Sequence, residues 1–263
     1  MELGQWIGKR LAPVVEVISR LRHARMFHPA GVLCEARVIA RSRHPVAARL
    51  SGPALVRLSG ALWKDSESWD LLGIAVRFAH VREPLSDGDQ DLLFATILRP
   101  WTMGLSMLTT RPHDFLANDY NAVSPFAVAE MGRKVELRLR PIFDHAAGST
   151  RAERLHNAIS DGRARFVLEW APYRRPWQIL DDSVFEPLVE LELTQFSAVD
   201  QSQLAFNPFR DGRGFSPVGL IHSIRRAVYP ASQRGRGLDE SASKPLTNCT
   251  VSDGNRAAER VSR

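Results

Sequence analysis

KVELRLRPI, residues 134–142, alternates apolar and charged side chains so that Val135, Leu137 and Leu139, with Ile142 nearly in step, share one face of an extended chain. Successive side chains on a strand point to opposite sides, so the pattern describes a β-strand with one buried and one solvated surface. Such strands belong to antiparallel sheets, since parallel sheets are covered on both faces. Working outward, similar segments recur between polar or Gly/Pro breaks: VLCEARVIAR (32–41), PALVRLSG (53–60), GIAVRFAHV (73–81), DLLFATIL (91–98), ARFVLEWAP (164–172) and PLVELELTQF (187–196). Many short, closely spaced strands predict an antiparallel sheet or barrel. TRAERLHNAISDGRA (150–164) reads instead as a helix closed near Gly162, which makes the class α+β.

Residues 1–24 read as an amphipathic helical arm, with Trp6, Ile7, Leu11, Val14, Val15, Ile18 and Leu21 at mostly helical intervals. Residues 203–221, marked by Pro208, Gly212, Gly214 and Pro217, read as loop, followed by a short helical segment through Tyr229. After about Gly235 almost nothing apolar remains, so 237–263 is expected to be a disordered tail. The main domain is expected at 25–236.

The 263 residues, 44% of them apolar, suffice for a buried core. No apolar run is long enough to span a bilayer, and LAPVVEVIS is broken by Pro13 and Glu16 with no cleavage site after it, so a cytoplasmic protein without a membrane span is expected. Cys34 and Cys249 lie far apart and form neither a disulfide framework nor a zinc motif. The net charge of +6 comes from arginines spread along the chain, which argues against a nucleic-acid partner.

One triplet near the C-terminal end carries chemistry. Arg225, Tyr229 and Arg236, in IRRAVYPASQRGR, stand at i, i+4 and i+11 and stack on one face of a helix, with Pro230 kinking or beginning it there. A phenol ionises only near pH ~10 unless something stabilises its anion, and a guanidinium one turn away does so. That is the construction of a tyrosinate ligand for haem iron.

Several separated pieces resemble, in order, the haem catalases. RMFHPAG (25–31) is similar to their distal segment, and ALVRLSG (54–60) to their strand reading valine, arginine, apolar, serine. WDLLGIAVRF (69–78), GDQDLLF (88–94) and RLHNAISDGRARFVLEW (154–170) resemble later segments, and FNPF (206–209) followed by RRAVYPASQRGR (225–236) resembles the proximal segment. The resemblance covers roughly residues 20 to 236.

The resemblance implies a catalase-like antiparallel β-barrel with flanking helices, without the long N-terminal arm and C-terminal helical region of full-length catalases. It implies haem b as cofactor and Tyr229 as the iron ligand, with Arg225 stabilising its anion and Arg25, Arg57 and Arg236 at the haem propionates. It makes His28 the distal acid–base group and Ser59 its hydrogen-bonded partner. The distal asparagine of the family is replaced: Asp89 falls at its position with Gln90 beside it, and an ionised carboxylate accepts where an amide would donate to peroxide. The implied activity is decomposition of hydrogen peroxide or organic hydroperoxides by a catalase or peroxidase cycle, drawing on a small-molecule reductant in the second case. A fatty-acid hydroperoxide isomerase or lyase, or a haem-binding redox sensor, are the alternatives. The expected assembly is smaller or looser than that of full-length catalase.

Overall fold

A computed structural model of the protein describes residues 31–61, 67, 69–79, 88–99, 102–143, 147–173, 184–199, 204, 206–219, 222–223 and 226. The helical arm 1–24, Arg25, His28, Arg225, Tyr229, Arg236 and the tail 237–263 lie outside the described residues. The elements are β1 (Gly31–Ala40), α1 (Pro45–Leu50), β2 (Gly52–Gly60), β3 (Leu72–Phe78), β4 (Gln90–Ala95), α2 (Met103–Thr109), β5 (Tyr120–Asn121), β6 (Phe126–Val128), β7 (Arg133–Pro141), α3 (Arg151–Ser160), β8 (Arg165–Pro172), β9 (Glu186–Phe196) and β10 (Phe215–Pro217).

Each apolar-alternating segment read from the sequence is a strand, and the strands close on themselves. β1 pairs with β2 and β9, β2 with β3, β3 with β4, β4 with β5, β7 with β8 and β8 with β9, all antiparallel. β5 and β6 both pair with the same side of β7, as two pieces of one interrupted wall strand. The result is an eight-stranded antiparallel barrel with a few helices. Closure removes the free edges that an open sheet would present.

Alternation along each strand then sorts side chains into two surfaces. Three cross-strand rows face inward: Val32, Leu58, Ile74 and Phe94; Cys34, Val56, Val76 and Leu92; Ala36, Ala54, Phe78 and Gln90. Their apolar members join Val135, Leu137, Leu139, Phe166, Leu168, Val189 and Leu191 in one buried cluster. Both barrel ends are stoppered. At one, α1 buries Val46, Ala47 and Leu50, its start fixed by Pro45 and by His44 Nδ1 accepting from Val46 N at 3.3 Å. At the other, α3 buries Leu155 and Ala158. A capping box between Thr150 and Glu153 starts α3, and Gly162, at φ 65°, ends it.

The 203–221 stretch departs from its reading as loop. It contains β10, which pairs with β6 through Phe215↔Val128 and Pro217↔Phe126. The three-residue strand is disguised in the sequence, since Pro217 lies within it and Gly214 directly precedes it.

Candidate functional site

The outer surface of the barrel has two characters. Around β7, β8, β9 and β1 it is a ladder of ion pairs: Arg138 and Arg140 meet Glu169, Arg41 meets Glu190, and Arg37 and Arg165 meet Glu192. That half suits water. Across β1 to β4 the outward rows are different: Gly31, Ser59, Gly73 and Ala95; then Leu33, Arg57, Ala75 and Leu93; then Glu35, Leu55, Arg77 and Asp91. Leu33, with Leu204 and Phe206, forms a second apolar cluster on this side, against which Leu55, Ala75 and Leu93 pack.

Arg57 and Ser59 therefore stand two residues apart on the same outward face of β2, both buried. Ser59 Oγ makes a long contact to Gly73 O at 3.5 Å. The row containing Ser59 has no side chain larger than a serine across four strands, a shelf about 14 Å wide at the usual strand spacing of about 4.8 Å. β1 starts at Gly31 directly opposite Ser59, three residues after His28 in the sequence. Gly31 is needed there. A Cβ at this position would stand 2.7 Å from both Arg57 Cζ and Leu58 O, and the second of these is backbone that cannot swing away.

Gly31→Ala is accordingly expected to cost ~1–3 kcal/mol through forced displacement of Arg57 and the β1–β2 pairing. Gly104→Ala, where a Cβ meets nothing within 4 Å, should stabilise the exposed helix α2 by ~0.5–1 kcal/mol. Urea midpoints of the two variants, moving in opposite directions, check the pair.

Asp89 and Gln90 part company. Gln90 belongs to an inward row, away from Arg57 and Ser59, and its amide is engaged at both ends. Nε2 donates to Arg210 O at 2.9 Å and Phe215 O at 3.1 Å, while Oε1 accepts from Phe215 N at 3.1 Å. It pairs with Phe215 as a strand residue would, sealing the wall between β4 and β10. Asp89, also buried, directly precedes β4, and its carbonyl accepts from Gly212 N at 3.0 Å. Burial lowers the Arg213 guanidinium from its ordinary value, and the Asp89 charge acts against that shift.

Sequence reasoning missed the strongest polar group on this wall. Asp91, fully buried, accepts from Arg77 Nε and Nη2 at 2.8 and 2.9 Å, from Arg210 Nη1 at 2.8 Å and from Asn207 N at 2.7 Å. The Arg77 guanidinium also lies 4.9 Å from the Phe206 ring centroid. Together these bonds clamp the 206–210 segment, the FNPF run, onto the outward face of β3 and β4. The signal was available: Arg77 and Asp91 sit on the non-core parity of two adjacent apolar strands, where an antiparallel hairpin sets them opposite each other.

Two further chemistry-bearing groups are spent on structure. Cys34 faces the barrel interior, where burial pushes its thiol up to about 12, so it behaves as a small apolar side chain. Tyr120 is buried, its hydroxyl donates to Phe115 O at 2.8 Å, and desolvation raises its pKa well above the phenol range. Among the described residues no group of three or more His, Cys, Asp or Glu side chains is arranged to hold a metal ion. No protein-family model and no curated protein matches this chain.

Proposed function

We propose that the protein is a haem-b enzyme that decomposes hydroperoxides, with the outward face of β1 to β4 as the wall against which the cofactor lies. The observation that carries this reading is the joint placement of Arg57, Ser59 and the small-residue row on one buried outward surface of β1 to β4, while the exterior around β7, β8, β9 and β1 is a solvated ion-pair ladder. The donor set fits the group. A flat row of glycine, serine and alanine lets a planar ring approach within van der Waals distance, and a guanidinium one row away suits a propionate.

When bound, haem supplies a redox-active iron able to accept an oxygen from a hydroperoxide. The chain's residues handle ligation and protons. Tyr229 holds the iron as a phenolate whose charge Arg225 stabilises, and Arg25, Arg57 and Arg236 pair with the propionates. His28 takes a proton from one peroxide oxygen and returns it to the departing one, with Ser59 fixing its tautomer and orientation. Gln90 has no part in this chemistry, because its amide braces β10. Asp89 is left at the position of the family's distal amide, and an acceptor there favours slow turnover or a larger organic hydroperoxide over rapid disproportionation of hydrogen peroxide.

Titration of the haem-reconstituted full chain with hydrogen peroxide and an alkyl hydroperoxide, followed by absorption and oxygen release, tests the reading. Tyr229→Phe is expected to weaken haem retention roughly ten-fold or more. His28→Ala should keep the haem and lose peroxide turnover by about a hundred-fold. Equal haem content in the two variants would count against the assigned roles, and absence of a Soret band in the parent would sink the haem assignment.

A further inference from the structure

α1 and α3 close the barrel with apolar side chains, and α2 does the opposite. It turns Leu105 and Leu108 outward and buries Ser106 and, at its C-cap, Thr110. Ser106 Oγ donates to Thr102 O at 3.0 Å and Thr110 Oγ1 to Ser106 O at 2.7 Å, so both hydroxyls are satisfied by their own helix. A helix seated on small polar side chains does not interlock with the wall beneath it. Between α2, the outward face of β5 and the end of β7 lies a cavity of about 500 Å³, open to solvent. That volume falls within the ~300–1,000 Å³ of small-molecule sites.

One edge of the cavity is a loop held in a single shape. Asn118 closes it: Oδ1 accepts from Arg111 N at 2.8 Å, and Nδ2 donates to Arg111 O at 2.9 Å and to Asp114 O at 2.7 Å. Within the loop, Asp114 Oδ1 accepts from Leu116 N at 2.8 Å, and the buried Tyr120 hydroxyl donates to Phe115 O. Three side chains lining the cavity stand apart from this bonding. Arg111, Asp119 and Asn121 make no side-chain hydrogen bond. The cation within 4 Å of Asp119 is Arg138, at 3.8 Å, and that guanidinium is hydrogen-bonded to Glu169. Desolvation raises the Asp119 pKa above its ordinary value even with Arg138 and Arg140 drawing it down, the mark of a carboxylate short of donors. A base, an acid and an amide thus line one cavity on a fixed frame, and the base and the acid are not paired with each other.

These three groups select the ligand. A plain anion would meet Asp119, and a plain cation would meet Arg111 and Arg140, which also lines the cavity. An uncharged ligand would cover both charges and pair neither, so the desolvation of each would go uncompensated. A zwitterion answers all of them. Its carboxylate suits the planar fork of a guanidinium, its ammonium suits Asp119, and the Asn121 amide donates to the one and accepts from the other. α-Amino acids carry both groups on a single carbon, and the volume leaves room for a side chain.

We propose that the cavity beside α2 binds a free α-amino acid, with Arg111 on its carboxylate, Asp119 on its ammonium and Asn121 between them. Isothermal titration of the full chain with the common L-amino acids, one at a time at millimolar concentration, tests this. The assay contains no haem, so its outcome is separate from the haem reading. At least one amino acid is expected to bind. Its amide and its N-acetyl derivative, each lacking one of the two charges, should bind about ten-fold or more weakly. Asp119→Asn and Arg111→Gln should each weaken binding by a similar factor, while circular dichroism and the urea midpoint stay those of the parent, because neither side chain is hydrogen-bonded within the fold. Absence of binding by every amino acid would overturn the proposal. So would an N-acetyl derivative that binds as well as the amino acid and responds to Arg111→Gln alone, which would make the cavity a carboxylate site. Binding that both variants leave intact would place the amino acid elsewhere on the chain and overturn it equally.

Discussion

Asp91→Ala is expected to lower folding stability by about 3–5 kcal/mol, the range for removing one partner of a buried ion pair. The size follows from what is left behind. Arg77 is almost wholly buried and Arg210 partly so, and both direct guanidinium hydrogens at the missing carboxylate, as does the Asn207 N–H. Burial already lowers the Arg210 pKa, with the Asp91 charge as the first influence opposing it, so loss of that charge leaves a cation in a poor environment. Two charges and a backbone donor would be uncompensated together. Glu192→Ala provides the contrast: it removes a partner of Arg37 and Arg165, but the Arg37 side chain is 64% exposed, and water replaces the lost contact. That variant should cost no more than about 1 kcal/mol. Urea denaturation of both separates the cases, and similar midpoints would show that the buried cluster relaxes far more than its geometry suggests.

Gln90→Ala should cost about 2–4 kcal/mol, by orphaning the Phe215 N–H and two carbonyls and by leaving a small cavity beside Phe78. Gln90→Glu is the sharper form. A carboxylate can still accept from Phe215 N but faces Arg210 O and Phe215 O, which the amide now donates to. Burial and the two carbonyls favour the neutral acid, which raises the folded-state pKa above an unfolded value of about 4.3. The folded state then binds the extra proton, so the contribution of residue 90 to the stability of this variant, relative to the parent, is greatest below about pH 4 and falls as pH rises through the raised folded-state value. The parent protein, with an amide at this position, has no such dependence from residue 90. Stability measured across that pH range for parent and variant isolates the effect of the one group.

The strands were legible because alternation survives wherever one face of the barrel meets water, as in KVELRLRPI. It was weakest where both faces are buried. β3, LGIAVRF, is buried at nearly every position, and a sequence cannot say what covers its second side. α1 escaped notice because six residues hold too few turns for a period, and α2 because its apolar residues face outward. β5 and β6 were hidden by the break at Ser124–Pro125, and β10 by Pro217 and its brevity. At the site, Arg57 and Ser59 were readable as residues two apart on a strand. The opposite facing of Gln90 and Asp91 followed from the same parity rule, but only once β4 was known to begin at Gln90.

The closing seam of the barrel also sets the order in which the molecule can assemble. β2, β3 and β4 follow one another as neighbours, and β7, β8 and β9 do the same, so each group can form from local contacts as soon as its segment exists. The β1–β9 pairing joins the two ends of the wall: Thr194 Oγ1 donates to Glu35 O across 159 positions of sequence. Loop-closure entropy delays such a contact until both halves are largely built. Until then the edges of β1 and β9 stand open, and the glutamates along β9 repel a second β9 while the arginines of β1 attract it, so the charges favour the native partner edge over an identical one.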